Sequence, residues 1–484
     1  KPVASVSLCL IVKDGESGLE RCLKSAADLV QEIIVVDTGS SDRSPEIARE
    51  CGARVFDFPW QDSFAAARNE SIHHATGDWI FWLDADEYLD EDNRARLGRL
   101  LAGLGHDNAA YIMKQRSPPN AAGSNALVAD QARLFPNHPQ IRWQYRVHEQ
   151  ILPAVLRLGG TIHWTDIFIQ HGGYEDATLR HHKHERNLRL LELEVQEHPD
   201  DAFTLFNLGW TYLEMGRAAE AIPLLRRSLE RTPAGGTTIR KQYALLAKAH
   251  RKLGQPEEAL AACREGRTHF PEDIELLHQE GLLRFERGDL TGAEACLVRL
   301  LESRPENYFA IGVDPGLRGY QTWYKLGIIY RDQGKLAAAE AQWRAVLAER
   351  PEHAPAWIGL TDLLLSQGRY QEVEEMARRL DQEPARILEA ALIRGRLYLA
   401  RREFATARAL LEDLIPKYPQ AVWLRVVLSH VLLREDRDPA ATERALRGVL
   451  ALDPANAQAR DNLAQLLRQA GSPGRDFKGQ PAPV

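Results

Sequence analysis

The sequence predicts two architectures in succession: an α/β domain with a mostly parallel sheet, then an all-α solenoid of helix pairs. Two observations predict them. Fully apolar runs alternate with helix-period stretches over the first hundred residues, and from about residue 200 glycines, alanines and prolines recur in phase. The first half reads in order as a strand over 5–12 and a helix over 18–29, with Leu19, Cys22, Leu23 and Ala26 on one face. A strand over 32–37, a helix over 44–52, a strand over 53–58, a helix over 63–77 and a strand over 78–86 follow. Strands apolar on both sides belong in a parallel sheet covered by helices on both faces, and ligands bind such sheets beyond the carboxyl ends of the strands.

In the second half the turn glycines Gly216, Gly254, Gly288, Gly334 and Gly368 are spaced 38, 34, 46 and 34 residues apart. Pro233, Pro271, Pro305 and Pro351 keep the same phase. The pattern resembles tetratricopeptide repeats. Gly209, Ala247, Gly281 and Gly327 are small where paired helices approach, Leu208, Leu246 and Leu326 fill the helix interface, and Ala221, Ala259, Ala293 and Ala339 admit the second helix. Further repeats over 388–419 and 420–454 keep the pattern less cleanly, and 457–470 reads as a polar capping helix. The Gly/Pro-rich tail 471–484 reads as disordered. The step of 46 holds an insertion over 306–320, which suits either a tolerated surface loop or a functional one. The concave face of such an array ordinarily holds a peptide or protein.

Composition narrows the classes of function. The 484 residues carry a net charge of −7, which gives no global electrostatic reason to expect nucleic acid or an anionic membrane as partner. No run approaches the roughly 20 apolar residues that span a bilayer. The apolar start, 3–12, is short and leads into Lys13 and Asp14 without a small-residue cleavage site, so it reads as a strand. Five cysteines, an odd number with no CxxC pair, argue against a disulfide framework or zinc site and fit a reducing cytoplasm.

The chemistry-bearing residues stand at predicted strand ends. Asp37 follows IIVV, and Asp84 and Asp86 follow WIFWL. Two carboxylates one residue apart can share a divalent ion, which can in turn hold phosphate oxygens; a solvated acidic turn has the same sequence. Around these acids the order SLCLIVKDGES, EIIVVDTGSSDRS, SFAAARNES and DWIFWLDADEYL resembles the family-2 inverting glycosyltransferases of the GT-A fold. It looks most like the bacterial subgroup carrying a C-terminal tetratricopeptide array, to which peptide S-glycosyltransferases of the sublancin type are related. The resemblance covers 5–190, and the repeats extend it over most of the chain.

The resemblance implies roles. Asp37 would accept a hydrogen bond from a uracil ring, although it also suits a turn cap; Asp42 reads as a cap for the following helix. The first loop, usually Asn-Glu-Glu, is Lys13-Asp14-Gly15-Glu16 here, so Asp14 or Glu16 would contact the nucleoside. Arg68 and Asn69 would face the nucleotide, with Arg68 toward the diphosphate. Asp84 and Asp86 would hold Mn²⁺ or Mg²⁺ and the ribose-diphosphate, with Glu87 beside them. His171 would complete the metal shell, favouring Mn²⁺ because imidazole suits it better; a turn-capping His is the other reading.

Inverting transfer needs a base for the acceptor proton. Glu149 is the first choice, with His148 beside it to position loop or acceptor; Glu87 and Asp166 are alternatives. The run 179–199 looks like a metal tract but has helical spacing, with Leu188, Leu191 and Val195 as its stripe. The expected division is a GT-A domain over 1–178, a connecting helix over 179–199, repeats over 200–470 and a tail over 471–484. The expected function is transfer from a UDP-sugar to a Cys, Ser or Thr side chain of a peptide or protein held by the repeats, in the cytoplasm. A transferase for a cell-surface glycan or glycolipid, and a repeat scaffold with an inactive α/β domain, are the competing readings.

Overall fold

A computed structural model describes residues 4–105, 107–117, 127–172, 177–304 and 313–470. The expected tail over 471–484 lies outside the described residues, as does 306–312 of the insertion. The chain divides into two compact units, Lys1–Arg318 and Gly319–Val484.

The first unit opens with β1 (Val6–Val12), α1 (Glu16–Lys24), β2 (Glu32–Asp37), α2 (Ser44–Glu50), β3 (Arg54–Asp57), α3 (Phe64–His74) and β4 (Trp79–Trp82). Alternation of strand and helix is as the apolar runs predict. Two boundaries differ. The helix expected over 18–29 breaks after Lys24 into a 3₁₀ turn over Ala27–Leu29, and the strand expected over 78–86 stops at Trp82. Asp84 and Asp86 therefore occupy the turn beyond the strand. After it come β5 (Glu87–Tyr88), α4 (Glu91–Ala102), β6 (Ala109–Ser117), β7 (Leu127–Pro136), α5 (Leu152–Arg157) and β8 (Thr161–His171).

The eight strands form one mixed sheet in the order β3-β2-β1-β4-β7-β6-β8-β5. β3, β2, β1 and β4 run parallel, with Val12 opposite Asp37 and Cys9 opposite Trp82. β7 then turns antiparallel against β4 and β6, β8 runs parallel to β6, and β5 pairs antiparallel with β8, bringing Glu87 opposite His171. Apolar side chains fill both faces. Leu8, Leu10, Val35 and Phe81 lie in one core with α1 and α4, and Cys9, Ile34, Ile80 and Trp82 lie in another.

The helix α6 (Ala177–Glu197) leads into helix pairs α7 (Ala202–Glu214)/α8 (Ala218–Arg231), α9 (Ile239–Lys252)/α10 (Pro256–His269) and α11 (Ile274–Glu286)/α12 (Leu290–Glu302). By compactness these three pairs belong with the sheet. The described part of the insertion touches that sheet, since the Val313 N–H donates to Val128 O on β7 at 3.3 Å. The second unit holds α13 (Tyr320–Asp332)/α14 (Leu336–Glu349), α15 (Ala354–Ser366)/α16 (Tyr370–Asp381), α17 (Ile387–Ala400)/α18 (Phe404–Leu414), α19 (Val422–Glu435)/α20 (Pro439–Leu452) and α21 (Ala457–Ala470). Among the described residues no helix is long and apolar enough to cross a membrane.

Within each unit, ion pairs join the first helices of adjacent repeats at one-repeat spacing. Glu214 meets Lys248 at 3.2 Å, Lys241 meets Glu275 at 2.6 Å, Arg251 pairs with Glu286, and Asp362 pairs with Arg396. The small positions also have a visible cause. The indole of Trp343, 1% exposed, fills the space a β-carbon would need at Gly327 and at Gly359, coming within 2.4 and 2.8 Å of those positions. We expect Gly327→Val to lower stability in urea by about 1–3 kcal/mol through overpacking. Unchanged stability would show that Trp343 has room to move.

Candidate active site

The site begins where β4 ends. Leaving the sheet, the chain makes a turn locked from within: the Asp84 N–H donates to Glu87 Oε2 at 2.8 Å, and the Glu87 N–H donates to Asp84 O at 3.0 Å. The thiol of Cys22 donates to the same carbonyl at 3.2 Å. Helix α1 reaches the turn closely because position 18 is glycine; a β-carbon there would sit 3.1 Å from Ala85 O.

Glu87 anchors the turn from beneath. Arg133, on β7, donates to it in bidentate fashion at 2.5 and 2.7 Å, and neither side chain is exposed at all. Gln115 donates to Glu87 Oε1 at 2.7 Å. Burial pushes the Glu87 carboxyl up, Arg133 pulls against it and Asp84 adds to the rise, so its pKa stays above the ordinary value. The alternative that made Glu87 the base meets a carboxylate with no exposed surface and both oxygens hydrogen-bonded.

Above the turn a second guanidinium joins two acids. Arg68, on α3 and 5% exposed, donates through Nη2 to Asp84 Oδ1 and through Nε to Glu149 Oε1, both at 2.6 Å. It lies 4.2 Å from the ring centre of Trp82 and 5.2 Å from that of Trp143. Arg133 lies 3.8 Å from the same Trp82 ring. Burial pushes Asp84 up, but Arg68 and Arg133 outweigh it and hold the carboxyl below its usual range. Glu149 bonds to Arg68 alone among the described residues.

Asp86 and His171 make a second pair, Oδ2 to Nε2 at 3.1 Å. The hydrogen bond to Asp86 raises the pKa of His171 against the opposing effect of burial. Two carboxylates and an imidazole are a chemically suitable donor set for Mn²⁺, and Mg²⁺ would take the carboxylates. In the geometry described, no three His, Cys, Asp or Glu side chains converge as a closed shell among the described residues. Asp84 is paired with Arg68 and Asp86 with His171, so the three expected ligands are not gathered as one group. Asp84 and Asp86, with side chains 36% and 49% exposed, are open enough to serve.

The other expected residues lie apart from this cluster. Asp14, Glu16 and Asp37 lace the loops after β1 and β2, at the same edge of the sheet. Asp14 accepts from the Ser41 N–H at 2.7 Å and hydroxyl at 3.0 Å, and Glu16 Oε2 accepts from the Arg43 N–H at 3.4 Å. Asp37 accepts from the N–H groups of Gly39 and Ser40 at 3.2 and 3.1 Å, the turn-cap geometry. Asp42, expected to cap α2, lies one residue before its N-cap Arg43 and accepts from the Ser44 N–H at 2.9 Å and hydroxyl at 2.6 Å. Asn69 is turned to the backbone of Trp143, donating to its carbonyl at 3.0 Å and accepting from its N–H at 2.8 Å. His148 neighbours Glu149 in the same loop with a left-handed backbone, φ 58°. Asp166 is paired with Arg96 at 2.9 Å on β8. Arg133, Trp82 and Trp143 were not expected here; the one hint is an arginine in the apolar strand run over 127–136.

The mixed α/β sheet carries paired acids past its parallel strands and precedes a helical-repeat array. Residues 7–154 match the glycosyl transferase family 2 model, and 204–234, 240–283, 324–385 and 389–421 match tetratricopeptide repeat models. The chain belongs to the family-2 glycosyltransferases that carry C-terminal tetratricopeptide repeats. A tetratricopeptide repeat-containing protein of Synechococcus elongatus is 32% identical over 356 residues, 72% of this chain and 76% of that one. The SPbeta prophage-derived glycosyltransferase SunS of Bacillus subtilis is 26% identical over 234 residues, 46% of this chain, and the match spans 53% of SunS. A tetratricopeptide repeat protein of Parabacteroides merdae, of solved structure, is 18% identical with a TM-score of 0.43, over 55% of this chain and 98% of that one.

The buried pair under the turn sets a test. Arg133→Ala leaves Glu87 uncompensated in the core, and we expect a loss of about 3–5 kcal/mol in chemical denaturation. A loss below 1 kcal/mol would remove the pair from the foundations of the site.

Proposed function

We propose that the chain transfers a sugar, with inversion, from a UDP-sugar to a Cys, Ser or Thr side chain of a peptide or protein held by its repeats. The observation that carries this reading is the position of Arg68, one guanidinium bonded at 2.6 Å both to the turn acid Asp84 and to the loop acid Glu149. An acid that would serve the donor side and an acid that would serve the acceptor side are both bonded to one fixed cation. Similarity to SunS supports sugar transfer, and the repeats support a protein acceptor.

In this reading Asp84 and Asp86, with His171, hold Mn²⁺ or Mg²⁺ against the donor diphosphate. Bound there, the ion would supply positive charge to the departing phosphate oxygens. Asp14, Glu16 and Asp37 line the nucleoside edge, and Arg68 adds its fixed charge beside the diphosphate. Asn69 contributes by fixing Trp143 at the start of the loop that bears Glu149. As the acceptor atom bonds to the anomeric carbon and the bond to UDP breaks, Glu149 takes the acceptor proton, with His148 beside it orienting the acceptor. A thiol acceptor asks least of that base, being partly ionised near neutral pH.

The first test needs no acceptor. UDP with Mn²⁺ should raise the melting temperature, by the equivalent of about 2.7 kcal/mol at a hundred times its Kd. GDP, CDP and UDP without Mn²⁺ should do far less, and Asp84→Ala and Asp86→Asn should abolish the effect. No shift with any nucleotide would favour an inactive scaffold. Glu149→Gln should keep the UDP shift yet lower transfer about a hundredfold or more; near-normal turnover would move the base role to another carboxylate.

A further inference from the structure

The loop that carries Glu149 is held from two sides, and one of them is the repeat array. It is closed on itself by reciprocal backbone hydrogen bonds between Gln144 and Gln150, both 3.0 Å. Inside this closure Tyr145 and His148 have φ of 74° and 58°, a left-handed backbone that a bulky side chain rarely adopts. Such a conformation persists where its surroundings over-determine it.

The α/β body and the helices both contribute to these surroundings. From the α/β body, Asn69 fixes Trp143, Arg68 holds Glu149, and the Phe64 N–H donates to Arg146 O at 2.8 Å. From α6 and the first repeat come further contacts to Tyr145, Arg146 and Val147. The Tyr145 ring packs on Phe203 at 4.8 Å between centres, and its hydroxyl reaches Asp201 at 3.4 Å. The Arg146 N–H donates to Glu194 at 2.9 Å while its guanidinium donates to Glu197 at 2.5 Å. Val147 is buried with Leu190, Leu191 and Leu208.

We propose that Tyr145, Arg146 and Val147 are positioning residues for Glu149, and that α6 and the first repeat are through them a working part of the transfer site. This rests on the reading of Glu149 as the base. The array then does more than collect an acceptor. Phe203 on α7 supports Tyr145, four residues before the acid that takes the proton.

The full chain tests this with Phe203→Ala, which removes the ring contact, and Glu197→Gln, which removes the charge of an exposed partner of Arg146. One readout is UDP release in Mn²⁺ from UDP-glucose, UDP-galactose and UDP-N-acetylglucosamine, with water as acceptor. The other is hydrogen exchange over 144–150. We expect Phe203→Ala to lower kcat about tenfold with KM within twofold, and Phe203→Tyr to restore it. In a Glu149→Gln background the same change should do nothing further, because it acts through Glu149. Exchange over 144–150 should rise about tenfold while the UDP–Mn²⁺ shift is kept. Unchanged kcat, or an equal loss in both backgrounds, would overturn the proposal. Were wild type to show neither a UDP shift nor UDP release, the donor-site reading would fall by itself, and unchanged exchange over 144–150 in Phe203→Ala would then overturn the brace. Should Phe203→Ala fail to fold, Glu197→Gln is expected to show the same pattern at smaller size, and its absence there overturns the proposal.

Discussion

Everything at the site depends on one pair of charges placed where water does not reach. Arg133 and Glu87 are both without exposed surface, and removing two ions from water is expensive unless their remaining hydrogen-bonding groups are also met. Here Gln115 and the Asp84 N–H meet the remaining capacity of Glu87, while the Arg133 Nε is buried without a hydrogen-bond partner among the described residues and the guanidinium lies against the Trp82 ring. The pair ties the turn after β4 to β7, with Arg133 46 residues beyond Glu87. The parallel half of the sheet supplies the acids, and the antiparallel half holds them in place.

A second consequence is electrostatic order. Glu149, Arg68 and Asp84 alternate in sign, and Arg133 and Glu87 continue beneath, with both arginines against Trp82. In a partly desolvated site such alternation keeps every charge compensated. The two turn acids are also shifted in opposite directions: against burial, two guanidiniums lower the pKa of Asp84, while burial and the neighbouring Asp84 raise that of Glu87. Two acids three residues apart thus acquire different characters from their surroundings.

Much of this was legible in the sequence, for a local reason. The apolar runs over 5–12 and 32–37 and the 34-residue phase of the repeats are short-range patterns that physics writes into neighbouring residues. Strand-end acids are likewise local, so Asp84, Asp86 and Asp37 stand out. What escaped is non-local. Arg133 meets Glu87 across 46 residues of chain, and Asn69 meets Trp143 across 74. The left-handed backbone at Tyr145 has no glycine or asparagine to announce it, because its support comes from Phe203 and Asp201 on another element. The strand over 78–86 read too long because Leu83 is as apolar and buried as the strand before it, and only the hydrogen bonds of the turn end the ladder.

The ion pairs that join first helices at one-repeat spacing have a consequence for how such an array can change over time. Lys241 and Lys248 on α9 face opposite ways along the chain, one to Glu275 and one back to Glu214. A helix pair is therefore not an interchangeable brick. Duplicating, deleting or transplanting a 34-residue block leaves unmatched charges at both of its seams, at a cost of up to about 1 kcal/mol for each exposed pair. Paired charge substitutions 34 or 35 residues apart would remove that cost.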